Sequence, residues 1–170
     1  MEKRRLRVLF VCTGNSARSQ IAEALLRQLS GGRIDVFSAG SAPRPEIHPL
    51  ARRVLQDVYQ IDTSTQFPKS WDRYLREPFD YIITVCDRAA ESCPAFPGDP
   101  ERIRWSFPDP AAVTGNEIEQ RRAFERTATE MAGRLRIWLS LPRVRAAIES
   151  DEKARQPRPP GGVTGPPEKP

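Results

Sequence analysis

The sequence predicts a single α/β domain of three layers, built on a four-stranded parallel sheet in the order 2-1-3-4. Apolar runs of strand length alternate with stretches of helical periodicity. The first run, LRVLFVC at residues 6–12, is nearly continuous in hydrophobicity, as in strands buried on both faces. The length of 170 residues suits one domain with a substantial core.

A short polar loop at 13–16 follows the first strand. Ile21, Ala22, Leu25, Leu26 and Leu29 then recur at helical spacing, and Gly31 and Gly32 end that helix. Residues 34–38 read as the second strand. Residues 49–58 read as a helix with Leu50, Val54 and Leu55 on one face, and 70–76 as a short helix. Residues 79–85 (FDYIITV) form the third strand, which runs into Cys86, and 103–105 form a brief fourth. Thr114, three residues before Glu117, has the spacing of a capping box for a long helix to about Leu139. Phe124, Ala128, Met131, Leu135 and Trp138 make its apolar stripe. Pro142 opens a last short helix. Residues 1–148 are expected to be the folded domain. Residues 149–170 are expected to be a disordered tail, since six of the seventeen prolines and three glycines fall in its last twenty positions.

Charge and composition narrow the function. The net charge is +5, but basic residues are scattered among acids, as in Glu119, Arg121, Arg122, Glu125 and Arg126, and no nucleic-acid module is evident. No apolar run approaches the roughly 20 residues that span a bilayer. The stretch 8–12 is too short for a signal-peptide core. A cytoplasmic protein without a membrane contact is expected, with a monomer as the working assembly. In a reducing compartment three cysteines point to buried thiols or thiol chemistry rather than structural disulfides.

The segment Cys12-Thr13-Gly14-Asn15-Ser16-Ala17-Arg18-Ser19 leaves a strand and enters a helix. A helix N-terminus presents unpaired N–H groups, and small residues let the loop curl into a nest for a tetrahedral oxyanion. Arg18 suits a bidentate grip on two of its oxygens. The same positive field is expected to favour the Cys12 thiolate, with Ser19 adding a hydroxyl hydrogen bond. In the order 2-1-3-4 the first and third strands are neighbours, so Cys12 and Cys86 end at the same sheet edge. Cys93 lies seven residues beyond Cys86. If that stretch were helical the two Cα atoms would be about 10.5 Å apart, too far for a disulfide, so a bridge requires it to unwind. Asp109, followed by Pro110, lies after the fourth strand and is placed to protonate a departing oxygen, although Asp-Pro also favours a simple turn. His48 before Pro49 reads as structural, and no metal-ligand spacing appears.

Residues 8–26 resemble the start of the low-molecular-weight protein tyrosine phosphatase superfamily. Gly-Asn-Ser-Ala-Arg-Ser-Gln-Ile-Ala-Glu at 14–23 is more similar to its arsenate reductase branch, since phosphatases usually carry proline where Gln20 stands. The resemblance covers about residues 6–140. It implies arsenate as substrate with phosphate competing, Cys12 as nucleophile, Cys86 and Cys93 as resolving thiols, and Asp109 as general acid. It also implies thioredoxin as the external reductant, with no bound cofactor. Phosphatases of the family commonly continue after Asp-Pro with aromatics, where this chain has Ala111 and Ala112. Alternatives within the same sequence are a phosphatase acting on phosphomonoesters, a non-catalytic oxyanion sensor, and reduction by a small thiol. In some relatives Asn15, Glu23 and Ser38 would sit near a structural cation.

Overall fold

The computed structural model describes residues 4–157. Strands β1 (Arg7–Cys12), β2 (Asp35–Gly40), β3 (Tyr81–Thr84) and β4 (Glu101–Arg104) form one parallel sheet in the order β2-β1-β3-β4. Helices α1 (Arg18–Leu29), α2 (Pro49–Tyr59), α3 (Asp87–Ser92), α4 (Glu117–Ser140) and α5 (Pro142–Arg155) fill the connections. The expected topology is found. The brief fourth strand begins two residues earlier than its apolar signal, because β4 is an edge strand whose Arg102 and Arg104 face solvent.

Val8, Leu9, Phe10 and Val11 of β1 are all fully buried, so both faces of the sheet are covered. On α4, Phe124, Ala128, Met131, Leu135 and Trp138 are buried as their spacing requires, and Trp138 meets Tyr81 of β3 edge-to-face at 5.1 Å. Phe37, Tyr74, Phe79 and Phe96 form a second aromatic cluster, with the Arg7 guanidinium 4.6 Å from the Phe37 ring centre.

Three expectations are corrected. The 70–76 helix contracts to a single 3-10 turn, Trp71–Tyr74, capped by the Ser70 hydroxyl. The N-cap of α4 is Asn116, not Thr114. Gly115, at φ +136, turns the chain so that the Asn116 carboxamide accepts the Glu119 N–H at 2.9 Å. The last helix is fourteen residues long rather than short, so the tail does not begin at 149. Val144, Ile148 and Asp151 share its buried face, and Asp151 Oδ2 accepts the Leu6 N–H at 3.1 Å. Residues 158–170 of the expected tail lie outside the described residues.

Candidate active site

Cys12 ends β1 and Arg18 begins α1, so the chain must turn within the five residues between them. Asn15 takes φ +47, which polar Asn tolerates better than most residues. The loop carbonyls are tied outward. Ser41 donates to Cys12 O at 3.2 Å, and Ala42, Arg44 and His48 donate to Thr13 O, Gly14 O and Ser16 O at 2.9 Å. In a trans peptide the next N–H points the opposite way, so these bonds turn the amides of Thr13, Gly14, Asn15 and Ala17 away from that segment. The Asn15 N–H accordingly meets Cys12 Sγ at 3.2 Å. Glycine at position 40 permits this packing, since a Cβ there would lie 2.4 Å from Thr13 O.

A cleft of about 750 Å³ opens above the loop, lined by residues 12–18 and by Arg44, Cys86, Arg88 and Asp109 among others. Arg18 donates to Phe107 O at 3.0 Å and stands 3.9 Å from Asp109 Oδ2. The other Asp109 oxygen accepts the Ala111 N–H at 3.0 Å, capping a 3-10 turn at Pro110–Ala112. One Asp109 oxygen thus makes the turn, and the other faces the cleft arginine.

The hydrogen-bond directions beneath the loop can be assigned from one unambiguous donor. The Lys69 backbone N–H donates to Asn15 Oδ1 at 3.0 Å, which leaves the Asn15 amide nitrogen facing Ser19 Oγ (2.8 Å) and Ser38 Oγ (3.0 Å). Ser19 therefore accepts from Asn15 and keeps its own proton available for a Cys12 thiolate, whose Sγ is 2.8 Å away in a contact where either atom can donate. Gln20 Nε2 reaches Asn15 O at 3.0 Å and pins the loop from the helix side.

Cys12 is 3% exposed. Burial pushes its thiol above the ordinary value, against the hydrogen bonds of Ser19 and Asn15 that lower it. Withdrawal from water thus opposes the thiolate that the donors favour. The donors set how much thiolate survives.

Cys86 is buried, forms the N-cap of α3 and lies 3.5 Å from the Thr13 hydroxyl. Both it and Cys12 line the cleft. Cys93 is not in that cleft. It caps the far end of α3 and lines a separate cavity of about 140 Å³ with Ala90 and Arg102. Burial pushes the Cys93 thiol up, and Arg102 pulls it down. All three cysteines are free thiols. Helix α3 is held to the edge strand at both ends: Arg104 donates to Asp87 Oδ1 at 2.9 Å, and Arg102 donates to Pro94 O at 2.7 Å.

His48 is structural, as read. Its Nδ1 accepts the Leu50 N–H at 3.1 Å and its ring stacks 4.6 Å from Phe124. Lys69 and Arg44 were not legible in the sequence, because both sit in irregular connections with no periodicity. The Lys69 ammonium donates to Ser38 Oγ at 3.3 Å, beside buried Glu23. Burial raises the Glu23 carboxyl and lowers Lys69, and each charge opposes the other's shift. A positive charge therefore does lie beside Ser38 and Glu23, and it is covalently attached.

Residues 7–153 match the family described as low molecular weight phosphotyrosine protein phosphatase. An arsenate reductase of Halalkalibacterium halodurans is 36% identical over 131 residues, which are 77% of this chain and 93% of that one. An arsenate reductase of Bacillus subtilis is 36% identical over 129 residues, 76% of this chain and 91% of that one. The structure of a thioredoxin-dependent arsenate reductase from Corynebacterium glutamicum superimposes with a TM-score of 0.62 at 32% identity. That match covers 82% of this chain but 63% of the larger protein. The strand-to-helix anion loop, the four-strand order and the matched length agree, and the chain belongs to the low molecular weight phosphotyrosine protein phosphatase family.

Proposed function

We propose that this protein reduces arsenate to arsenite by a relay through Cys12, Cys86 and Cys93, and that the dithiol of a thioredoxin regenerates it. The observation that carries this reading is the second thiol: Cys86 shares the oxyanion cleft with Cys12. A phosphatase needs only the first. The relatives named as arsenate reductases support the same substrate.

In the proposed sequence the loop amides and Arg18 hold arsenate over Cys12 Sγ. The Cys12 thiolate attacks arsenic, forming an S–As bond, and Asp109 protonates the oxygen that departs as water or hydroxide. Cys86 then attacks Cys12 Sγ as thiolate. An S–S bond forms, the S–As bond breaks with its electron pair left on arsenic, and arsenic(V) leaves as arsenic(III). Cys93 attacks Cys86 Sγ and releases the Cys12 thiolate. This last step cannot occur across an intact α3, whose six residues separate the two cysteines by more than a disulfide spans. The helix must unwind, breaking the contacts of Arg104 to Asp87 and Arg102 to Pro94. The resulting 86–93 disulfide would lie on a loosened segment open to a reductant.

The test is arsenate-dependent NADPH oxidation with thioredoxin and thioredoxin reductase. Turnover in the wild type that is abolished in Cys12→Ser, Cys86→Ser and Cys93→Ser is expected. A second reading, hydrolysis of phosphomonoesters, is favoured by the loop, Arg18 and Asp109, which suffice for it. Hydrolysis of an aryl phosphate dependent on Cys12 alone, without arsenate turnover, would establish that reading instead.

A further inference from the structure

Arg44 lines the oxyanion cleft, yet the relay gives it no task. Its backbone is set by three constraints. Pro43 and Pro45 flank it, one with its own φ fixed and the other restricting Arg44 to extended conformations. Its N–H donates to Gly14 O at 2.9 Å, so it is fastened to the anion loop itself. The side chain lies directly over that loop: Cγ and Nε are each 3.4 Å from where a Cβ on Gly14 would stand. Arg44 is exposed whereas Cys12 is 3% exposed, which puts the sulfur at the floor and this guanidinium at the mouth. Arg18 has Asp109 beside it and Arg104 has Asp87, but among the described residues Arg44 forms no ion pair with an acid.

A tetrahedral oxyanion attacked by Cys12 from below turns three oxygens toward the loop and Arg18 and directs the fourth toward the mouth. In free arsenate or phosphate that fourth oxygen, opposite Cys12 Sγ, is the one that departs after Asp109 protonates it, and on binding it is a hydroxyl or carries charge. In a phosphomonoester it bears the organic group. We propose that Arg44 is a specificity-determining residue. Its guanidinium binds the outward oxygen of a free inorganic oxyanion, and its side chain over Gly14 occupies space that an ester substituent needs. This deepens the proposed reading of the cleft and rests on one part of it, that the cleft binds a free tetrahedral oxyanion. It makes the preference for an inorganic anion a property of the cleft mouth, in addition to the thiols.

The test compares Arg44→Gln and Arg44→Lys with the parent, using inorganic phosphate binding by calorimetry and p-nitrophenyl phosphate hydrolysis. Arg44→Gln is expected to weaken phosphate binding about ten-fold, with Arg44→Lys recovering part of the loss. The KM for p-nitrophenyl phosphate is expected to stay the same or fall. Equal weakening toward both ligands would show a merely structural role and overturn the proposal, as would unchanged phosphate binding. The phosphate measurement does not depend on the cysteine relay. Loss of selectivity in Arg44→Gln together with no arsenate turnover in the wild type would therefore sink the reductase reading and leave this one standing.

Discussion

Replacing Ser19 with alanine removes the hydroxyl that can donate to the Cys12 thiolate. Because Lys69 N–H occupies Asn15 Oδ1, the Asn15 amide donates to Ser19, and once Cys12 is ionised its sulfur can only accept, so the Ser19 proton goes to Cys12 Sγ, 2.8 Å away. Of the influences that lower the Cys12 thiol, this hydrogen bond is the largest, and it works against burial. A hydrogen bond to a charged group contributes roughly 1.5–3 kcal/mol. Its loss should raise the thiol further, each roughly 1.4 kcal/mol being a factor of ten in ionisation. At neutral pH the thiolate fraction would fall roughly 10–100-fold, and attack on the oxyanion with it. The assay is the pH dependence of iodoacetamide alkylation of Cys12 in a Cys86→Ser/Cys93→Ser background, with and without Ser19→Ala. The reasoning predicts a midpoint displaced to higher pH, with the lost rate recovered in alkali. A midpoint that stays put or moves down would refute the assigned proton direction.

Other consequences follow from the same contacts. Arg18→Lys keeps the charge but loses the planar fork, so kcat/KM for arsenate should fall by about 100-fold or more, read in the coupled assay. Lys69→Met removes one of the two cations beside buried Glu23, leaving Arg27 at 3.4 Å, and raises that carboxyl further. The unfolded chain, with its carboxyl near the ordinary value, then loses its proton first. The variant's stability should therefore decline as pH rises from that value through the raised one, and urea denaturation at pH 5 and pH 8 should show the larger deficit at pH 8. Asp151→Ala leaves the Leu6 N–H without its buried acceptor and should cost about 1–3 kcal/mol, seen in a melt as roughly 2–4 °C for each kcal/mol.

The parts of the site written in contiguous sequence were legible before the structure. The loop from Cys12 to Ser19 carries its own geometry in small residues between a strand and a helix. The placement of Cys86 beside Cys12 followed from strand order alone. What escaped was set by tertiary contact. Thr114 matched a capping pattern, but the positive φ of Gly115 handed the cap to Asn116. Asp151 looked like the start of a polar tail, yet it lies one helical repeat beyond Val144 and Ile148 and finds a backbone donor on the far side of the chain. Lys69 and Arg44 sit in connections whose course depends on pairing with residues 14–16 and 38–40, and no local pattern marks them. The Cys12 thiol was expected to ionise readily from its neighbours' charge. How deeply the sulfur is withdrawn from water is a property of the fold, and it works against those charges.

The most direct test of the relay is peptide mapping under non-reducing conditions after the reduced protein is exposed to arsenate without any reductant. The wild type should accumulate a disulfide between Cys86 and Cys93, and Cys93→Ser should stop at one between Cys12 and Cys86. Three free thiols after arsenate exposure, or a Cys93→Ser protein that never joins Cys12 to Cys86, would contradict the relay.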